Sequence, residues 1–251
     1  MEMQTRTTAV LLVTPLVTLP AAPGATAAAV SPAMPPTAAA TTAFAAGSGA
    51  AGRPTLRRGA RGPAVRRLQT RLRALRYDPG AVDGRYGDLT VHAVWAFQKV
   101  NGLGPSSTVG PATWAALARP RTPRALVRVG AAGRIEISLR KQLLVLYKHG
   151  TVRLITHISS GSGRRYFSQG AWHTATTPTG NFKIFRRIRG WHRSPLGLLY
   201  NPVYFTGGVA VHGEGSVPPY PASHGCVRIP VHTGDLVYPL ASMGTHVYVR
   251  R

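Results

Sequence analysis

The sequence predicts an α+β protein built from a helical part followed by a mostly β part. Three segments before residue 120 carry apolar residues at helical spacing, whereas the chain after Arg124 holds seven or so short apolar runs separated by Gly and Pro turns. The chain has 251 residues, of which 44% are hydrophobic. That is enough length and apolar surface for buried cores, so wholesale disorder is excluded.

Residues 1–29 are typical of a secretory signal peptide. Arg6 precedes an apolar run at 9–17, and Ala25-Thr26-Ala27 supplies the small residues of a cleavage site. The run is shorter than the roughly 20 residues that cross a bilayer, so we expect no membrane span in the mature form. The alternative is an Ala-rich disordered tail. Residues 30–52, rich in Ala, Pro and Thr, predict a flexible linker.

Three helices are predicted within residues 53–119. They cover 64–75, 90–98 and 111–117, and each has an apolar face or a Pro at its start. Several residues are expected in the helical core rather than at a ligand: Phe97, Gln98 and Trp114. His92 is expected at the surface, because a lone histidine beside an aromatic residue on a helix is more often exposed than a ligand.

The apolar helix stripes and the turns between them follow each other at the spacing of a known family. The matching residues are Leu56, Asp83-Gly84, Phe97-Gln98, Asn101-Gly102 and Thr113-Trp114. This pattern resembles the peptidoglycan-binding type 1 family. The resemblance implies a three-helix domain at 53–119 that holds cell-wall glycopeptide in a shallow groove, and it names no individual contact residue. The Pro- and Arg-rich residues 120–133 are predicted to be a linker.

The part from residue 134 to 251 is predicted to be a sandwich or a barrel-like mixed β fold. No segment after Arg124 shows a long helical stripe, and the turns carry Gly or Pro. The predicted strands follow the apolar runs at 135–139, 143–147, 152–158, 182–188, 203–205, 209–211 and 246–249.

One group of residues in the β part has the chemistry of a nucleophilic site. Cys226 is the only cysteine, which excludes an intramolecular disulfide and a thiolate-rich zinc site. A nucleophilic thiol needs a histidine to take its proton, and His212 and His224 both precede this cysteine closely in the sequence. If the segment is extended, His224 and Cys226 point to the same face. The amides of residues 225 and 226 are candidate oxyanion donors, and Arg228 is a candidate partner for a substrate carboxylate.

Two other interpretations stay open on residue types alone. Cys226 could be a small buried hydrophobe among structural histidines, since free cysteines are often buried. Alternatively, Cys226, His212 and His224 could bind zinc, although the paired spacing of most zinc motifs is absent.

The runs His212-Gly213 and Ser223-His224-Gly225-Cys226-Val227-Arg228, with Thr177-Pro178-Thr179-Gly180-Asn181-Phe182 upstream, resemble the L,D-transpeptidase (YkuD-like) catalytic domain over residues 134–251. The resemblance implies Cys226 as nucleophile and His212 as general base, oriented by the carbonyl of Gly213. It places His224, Gly225 and Cys226 at the oxyanion side and has Ser223 and Arg228 brace the loop. His224 ranks second as the base.

The resemblance also implies the reaction. Cys226 would attack the third residue of a tetrapeptide stem in peptidoglycan, release D-Ala, and pass the acyl group to a diaminopimelate-type amine to give a 3→3 crosslink. Water as acceptor would give an L,D-carboxypeptidase, and a protein amine would attach that protein to the wall. Neither a metal nor an organic cofactor is implied.

The net charge of +24 predicts an anionic partner or anionic surroundings. The charge is spread over both parts, and the expected export to the cell wall argues against nucleic acid, so anionic wall polymers are the expected second partner. A non-catalytic wall-binding protein is the competing class of function. The presence of both His212 and Cys226 argues against it.

Overall fold

The computed structural model describes residues 53–251, so the predicted signal peptide (1–29) and linker (30–52) lie outside the described residues. Three helices come first, a mostly β part follows, and this order confirms the predicted α+β class. The helices are α1 (Pro63–Ala74), α2 (Asp88–Val100), α3 (Pro111–Ala118) and α4 (Val231–Leu240). The strands are β1 (Arg134–Ser138), β2 (Leu143–Lys148), β3 (Thr151–His157), β4 (Arg165–Ser168), β5 (Ala171–Thr174), β6 (Gly180–Lys183), β7 (Arg186–Arg187), β8 (Trp191–Ser194), β9 (Gly197–Thr206), β10 (Val209–Glu214), β11 (Val227–Pro230) and β12 (His246–Arg250).

The helical part has its own apolar core. The apolar stripe of α1 is buried, and Tyr77 meets Phe97 of α2 edge to face with ring centroids 5.5 Å apart. Gln98 is also buried, and its polar side chain is accommodated there because the amide nitrogen donates to Thr108 O and Thr113 Oγ1. The expected core positions of Phe97, Gln98 and Trp114 are therefore confirmed.

The β part is a sandwich of two sheets. The first has the strand order β3-β2-β1-β12-β6, and the second has the order β11-β10-β9-β7 with β8 paired to β9. Side chains that alternate along each strand fill the space between the sheets, as in other face-to-face packings. The buried residues of this core include Ile135, Ile137, Leu144, Leu146, Val203, Phe205, Val211, Val227 and Ile229.

Strand β2 is buried on both faces. Leu144 and Leu146 point into the sandwich core, whereas Leu143, Val145 and Tyr147 belong to the core of the helical part. Because both faces are covered, the strand reads as a continuous apolar run instead of an alternating one. The helical part thus covers the outer face of the first sheet.

Helix α2 contributes a polar and aromatic face to this contact. His92, Trp95 and Lys99 occupy helix positions i, i+3 and i+7, so they share one side. The His92 ring stacks on His157 of β3 with centroids 5.8 Å apart. The expectation that His92 is a surface residue is therefore wrong, because β3 covers that side of the helix.

The sequence did not predict helix α4, the β4–β5 hairpin, or strands β8 and β11 of the β part. Helix α4 follows β11 directly and was missed because Gly234 and Pro239 obscure its helical pattern. The β4–β5 hairpin carries exposed Phe167 and Trp172 on one face and Tyr166 on the other. Within residues 53–251, no helix has the length and apolarity needed to cross a bilayer.

Candidate active site

A cavity of about 450 Å³ opens beside the second sheet. Part of its lining consists of side chains and backbone that the sequence singled out: His212, Ser223, His224, Gly225, Cys226 and Arg228. Most of the rest comes from the β4–β5 hairpin and the segment that joins β8 to β9, notably Tyr166, Ser168, His173, Leu196 and Leu198, and Gly208, Val209 and Glu214 also line it. The structure therefore brings six predicted residues to one cavity. Gly213, the seventh, follows His212 in β10 and is not part of the lining.

The pairing of β10 with β11 explains why these residues meet. The two strands are parallel, with Val211 opposite Val227 and His212 opposite Arg228. Val211 and Val227 are core residues, so the next residues along each strand point to the other face. Cys226 is two positions before Arg228, which makes it a diagonal neighbour of His212 on the cavity side.

His212 is held in one tautomer by its own neighbour. The ring is buried, and its Nδ1 atom lies 2.9 Å from the carbonyl oxygen of Gly213. A carbonyl oxygen only accepts, so Nδ1 carries the proton and Nε2 of the neutral ring has a free lone pair. Burial lowers the pKa of His212, an effect that the Gly213 contact partly opposes. At neutral pH the ring is an uncharged base.

Gly213 has no side chain because neighbouring groups occupy that space. A Cβ atom there would lie 3.0 Å from the Tyr200 ring and 3.1 Å from the Cα of Val231, the first residue of α4. Gly234 of α4 packs over the same glycine, since its own added Cβ would be 3.5 Å from Gly213 Cα. Helix α4 thus supports the backbone whose carbonyl orients His212.

Cys226 lies in a partly exposed position immediately before β11. Its sulfur accepts a hydrogen bond from Ala210 N–H at 3.5 Å and lies 3.8 Å from Gly208 O. Burial raises the pKa of the Cys226 thiol, whereas the Ala210 N–H and the Arg228 guanidinium act in the opposite direction. The resting side chain is therefore a thiol that needs a base to become a nucleophile.

Residues 223–226 form a turn instead of an extended segment. Gly225 has φ +141°, and the Ser223 hydroxyl accepts from Gly225 N–H at 3.0 Å and donates to Cys226 O at 2.5 Å. The condition under which His224 and Cys226 would point to the same face, an extended segment, is therefore not met. The Gly225 N–H is bonded to Ser223 and so supports the turn.

His224 lines the outer part of the cavity. Its exposed ring meets Tyr166 of the β4–β5 hairpin edge to face, with centroids 4.7 Å apart. His212, by contrast, is buried and fixed by Gly213. Across residues 53–251, no three His, Cys, Asp or Glu side chains are arranged as a metal-binding group.

Thr177 and Ser159 hydrogen-bond to the turn and to the strand that follows it, and neither was among the predicted site residues. Thr177 Oγ1 donates to Gly225 O at 2.7 Å and accepts from Gly161 N–H at 2.8 Å. The backbone of Ser159 exchanges two 3.0 Å hydrogen bonds with the backbone of Arg228. Thr177 lies in the Thr-Pro-Thr-Gly run of the sequence, and this run is the pattern from which its role near the site could have been predicted. The β4–β5 hairpin gave no such signal.

Comparison with known proteins finds relatives of both parts of the chain. Residues 61–117 match the peptidoglycan binding domain family, and residues 132–249 match the L,D-transpeptidase catalytic domain. A crystal structure of the L,D-transpeptidase from Xylanimonas cellulosilytica is 42% identical, with a TM-score of 0.74, and the alignment covers 78% of this chain and 97% of that one. A helical binding domain joined to a mostly β acyltransferase domain is the class of protein that these matches define. The chain belongs to the L,D-transpeptidase family.

A curated relative matches over a shorter stretch. It is an uncharacterized protein of the bpoA1 3′ region in Kitasatospora aureofaciens, 47% identical over 57 residues. The match covers 22% of this chain and 48% of the relative, so the chain spans about half the length of that protein.

Proposed function

We propose that this protein is an exported, cysteine-dependent L,D-transpeptidase that forms 3→3 crosslinks between peptidoglycan stems. One observation carries the proposal. His212 and Cys226 line the same cavity, and the Gly213 carbonyl holds His212 in the tautomer whose Nε2 can accept a proton. Membership of the family and the similarity to the Xylanimonas L,D-transpeptidase support the same reaction.

The donor half of the reaction begins with proton transfer from the Cys226 thiol to Nε2 of His212. The sulfur then attacks the carbonyl carbon of the third residue in a tetrapeptide stem. As the tetrahedral intermediate collapses, the imidazolium returns the proton to the amine of the terminal D-Ala, which leaves. A thioester between Cys226 and the shortened stem results.

The acceptor half reverses the roles. Neutral His212 takes a proton from the side-chain amine of a diaminopimelate-type residue on a neighbouring stem, and that amine attacks the thioester carbonyl. The carbon–sulfur bond breaks and the thiolate recovers its proton from His212. Water in place of the amine would give a tripeptide stem and no crosslink.

We assign two further roles around this pair. The Cys226 amide is the oxyanion donor, because the Gly225 N–H is already bonded to Ser223. Arg228 lies opposite His212 on β11 and lines the cavity, so its guanidinium binds a carboxylate of the donor stem. Ser223, Gly225 and Thr177 hold the turn that presents the nucleophile.

The surroundings of the enzyme follow from its partners. Peptidoglycan lies outside the cytoplasmic membrane, and a wall substrate agrees with the signal peptide predicted for residues 1–29. The net charge of +24 favours retention among anionic wall polymers. We infer that residues 53–119 bind wall glycopeptide and keep the catalytic domain near its substrate.

Mass analysis of muropeptides tests the proposal. Purified wild-type protein and the Cys226→Ala variant are incubated with disaccharide-tetrapeptide. We expect D-Ala release and crosslinked dimers with the wild type only. Tripeptide without dimers would indicate the carboxypeptidase instead. If the wild type changes nothing in the substrate yet binds it, the protein is a non-catalytic wall binder and the proposal fails.

A further inference from the structure

A chain of polar contacts joins the helical domain to the loop between His212 and Cys226. Lys99 of α2 places its Nζ 2.7 Å from Nδ1 of His157 and 3.2 Å from the carbonyl oxygen of Gln142. On the other side of the ring, Nε2 of His157 lies 2.9 Å from Pro218 O and 3.1 Å from Val217 O. Both ring nitrogens are therefore engaged, one by each domain.

The protonation of this chain follows from its partners. Carbonyl oxygens only accept, so Nε2 of His157 carries the hydrogen and donates it to the loop. Nδ1 of the neutral ring then accepts from the Lys99 ammonium. Burial and the nearby Lys99 charge lower the pKa of His157 to about 3, and burial lowers the pKa of Lys99 to about 8. At neutral pH a charged lysine therefore polarises an uncharged imidazole.

The His157 ring is also fixed by packing. It is fully buried, stacks on His92, and meets the Trp95 ring edge to face with centroids 5.2 Å apart. The aromatic neighbours come from the same face of α2 as Lys99. The helical domain thus sets both the orientation and the hydrogen bonding of this ring.

Residues 215–222, called here the 215–222 loop, depend on the end of β3 and the residues after it for their position. The Val217 and Pro218 carbonyls accept from His157, the Tyr220 carbonyl accepts from Ser159 Oγ at 2.7 Å, and Ala222 N–H donates to Ser160 O at 2.9 Å. Its three prolines have no N–H to offer. The loop connects β10, which carries His212, to the turn that carries Cys226, so its position bears on the separation of the two.

We propose that His157 and Lys99 are positioning residues for transpeptidation, through which the helical domain fixes the 215–222 loop and aligns His212 with Cys226. This inference rests on the proposed function and extends it. The helical domain then has a second task beside wall binding, because a residue of its α2 helix completes the support of the catalytic turn. Such support affects the geometry of the reacting groups more than the affinity for substrate.

The test uses four variants of the full chain. Lys99→Met keeps the length of the side chain and removes its donor, and His157→Phe keeps a ring and removes both nitrogens. His157→Gln keeps an amide donor that can reach the Pro218 carbonyl. Lys148→Met, at an exposed lysine that ends β2, is the matched control. Two experiments are made on each: hydrogen exchange at the Ala222 and Ser223 amides, and steady-state kinetics of D-Ala release, which give kcat and KM.

For Lys99→Met and His157→Phe we expect exchange at those amides to be about tenfold faster and kcat about tenfold lower, with KM within about twofold of the wild type. His157→Gln should recover most of the kcat, and Lys148→Met should match the wild type. If Lys99→Met folds and differs from the wild type in melting temperature alone, with exchange and kcat unchanged, the proposal is overturned. The same result overturns it even if His157→Phe does not fold.

The two proposals fail in different ways. A wild-type protein that releases no D-Ala refutes the proposed function, whereas the exchange measurement still decides whether Lys99 and His157 hold the loop. An active wild type with unaltered exchange and kcat in Lys99→Met refutes only the positioning role.

Discussion

The Nδ1 atom of His212 lies 2.9 Å from the carbonyl oxygen of Gly213, and this contact decides which ring nitrogen can act as a base. With Nδ1–H committed to the carbonyl, Nε2 is the acceptor. Burial lowers the pKa of His212 and raises that of Cys226, so the resting pair is an uncharged imidazole beside a thiol. Proton transfer then belongs to the catalytic step.

The lowered pKa of His212 predicts the acid side of the pH–rate profile. Protonation removes the base, so activity falls as the pH drops through the pKa of His212, which lies below its ordinary value of 6.5. The kcat/KM of D-Ala release should therefore have an acid midpoint below pH 6.5. The His224→Gln variant serves as the control and should keep that midpoint. If the acid midpoint of His224→Gln differs from that of the wild type, His224 is the base and this prediction is contradicted.

The raised pKa of Cys226 predicts slow alkylation at neutral pH. Iodoacetamide reacts with the thiolate, so its rate in the free enzyme should rise with pH to a midpoint above the ordinary thiol value of 9.0. Mass spectrometry of the alkylated protein measures that rate, and Cys226→Ala supplies the blank. Rapid alkylation at pH 6 would mean that a thiolate–imidazolium pair exists at rest, contrary to the structure.

Gly225 predicts a substitution that harms the turn. An alanine there would have to adopt φ +141° with its Cβ 3.0 Å from Thr176 O. Gly225→Ala should therefore lower the free energy of unfolding by about 1–3 kcal/mol and slow alkylation of Cys226. Gly170→Ala is the control, because its φ is +78° but no atom lies within 4 Å of the added Cβ. That variant should lose about 1 kcal/mol and keep the alkylation rate. Equal effects of the two substitutions on urea denaturation and on alkylation would contradict this prediction.

We expect removal of the Thr177 hydroxyl to reduce stability, because two backbone groups lose their hydrogen-bond partner. Thr177→Val keeps the shape of the side chain and removes the oxygen that bonds Gly161 N–H and Gly225 O. The buried carbonyl of Gly225 and the partly buried N–H of Gly161 are then left without this partner, which should cost about 1–3 kcal/mol in chemical denaturation and reduce D-Ala release. Thr151→Val removes an exposed hydroxyl that donates to Lys148 O, and should change little. A Thr177→Val variant as stable as Thr151→Val would show that the contact is dispensable.

The apolar outer face of the first sheet predicts the result of removing the helical domain. A chain that begins at residue 120 would expose Val145, Tyr147 and Ile155, which now belong to the apolar core of the helical part. We expect it to bind a hydrophobic dye and to aggregate in light scattering. Adding Val145→Lys and Ile155→Thr should restore a soluble chain. A truncated chain that stays monomeric without them would mean that the contact contributes little.

Much of the fold could be predicted because local patterns coincide with the final structure. The helical stripe of α1 could be recognised because this helix buries a single apolar face. Strands β1 and β12 could be recognised because they pair with each other in the sheet and their apolar residues alternate. Helix α4 could not be predicted, because its stability comes from packing on β9 and β10 and not from its own propensity. The β4–β5 hairpin was missed for a similar reason, since its strands are largely exposed.

The candidate site was predictable in its residues and less so in its geometry. The spacing of His212 and Cys226 indicates a pair, but only the parallel pairing of β10 with β11 makes them neighbours. Residues 223–226 form a turn in which Gly225 has a positive φ, and sequence alternation cannot show this. The contact between Lys99 and His157 joins residues 58 positions apart, so no local pattern reveals it.

The central claim is that Cys226 forms a thioester with the donor stem. Its most direct test is the intact mass of the protein, quenched in acid shortly after it is mixed with a disaccharide-tetrapeptide, followed by peptide mapping. We expect an added mass equal to the donor minus D-Ala, located on Cys226 and absent in Cys226→Ala. An unmodified protein that nevertheless releases D-Ala, or an adduct on another residue, would contradict the claim.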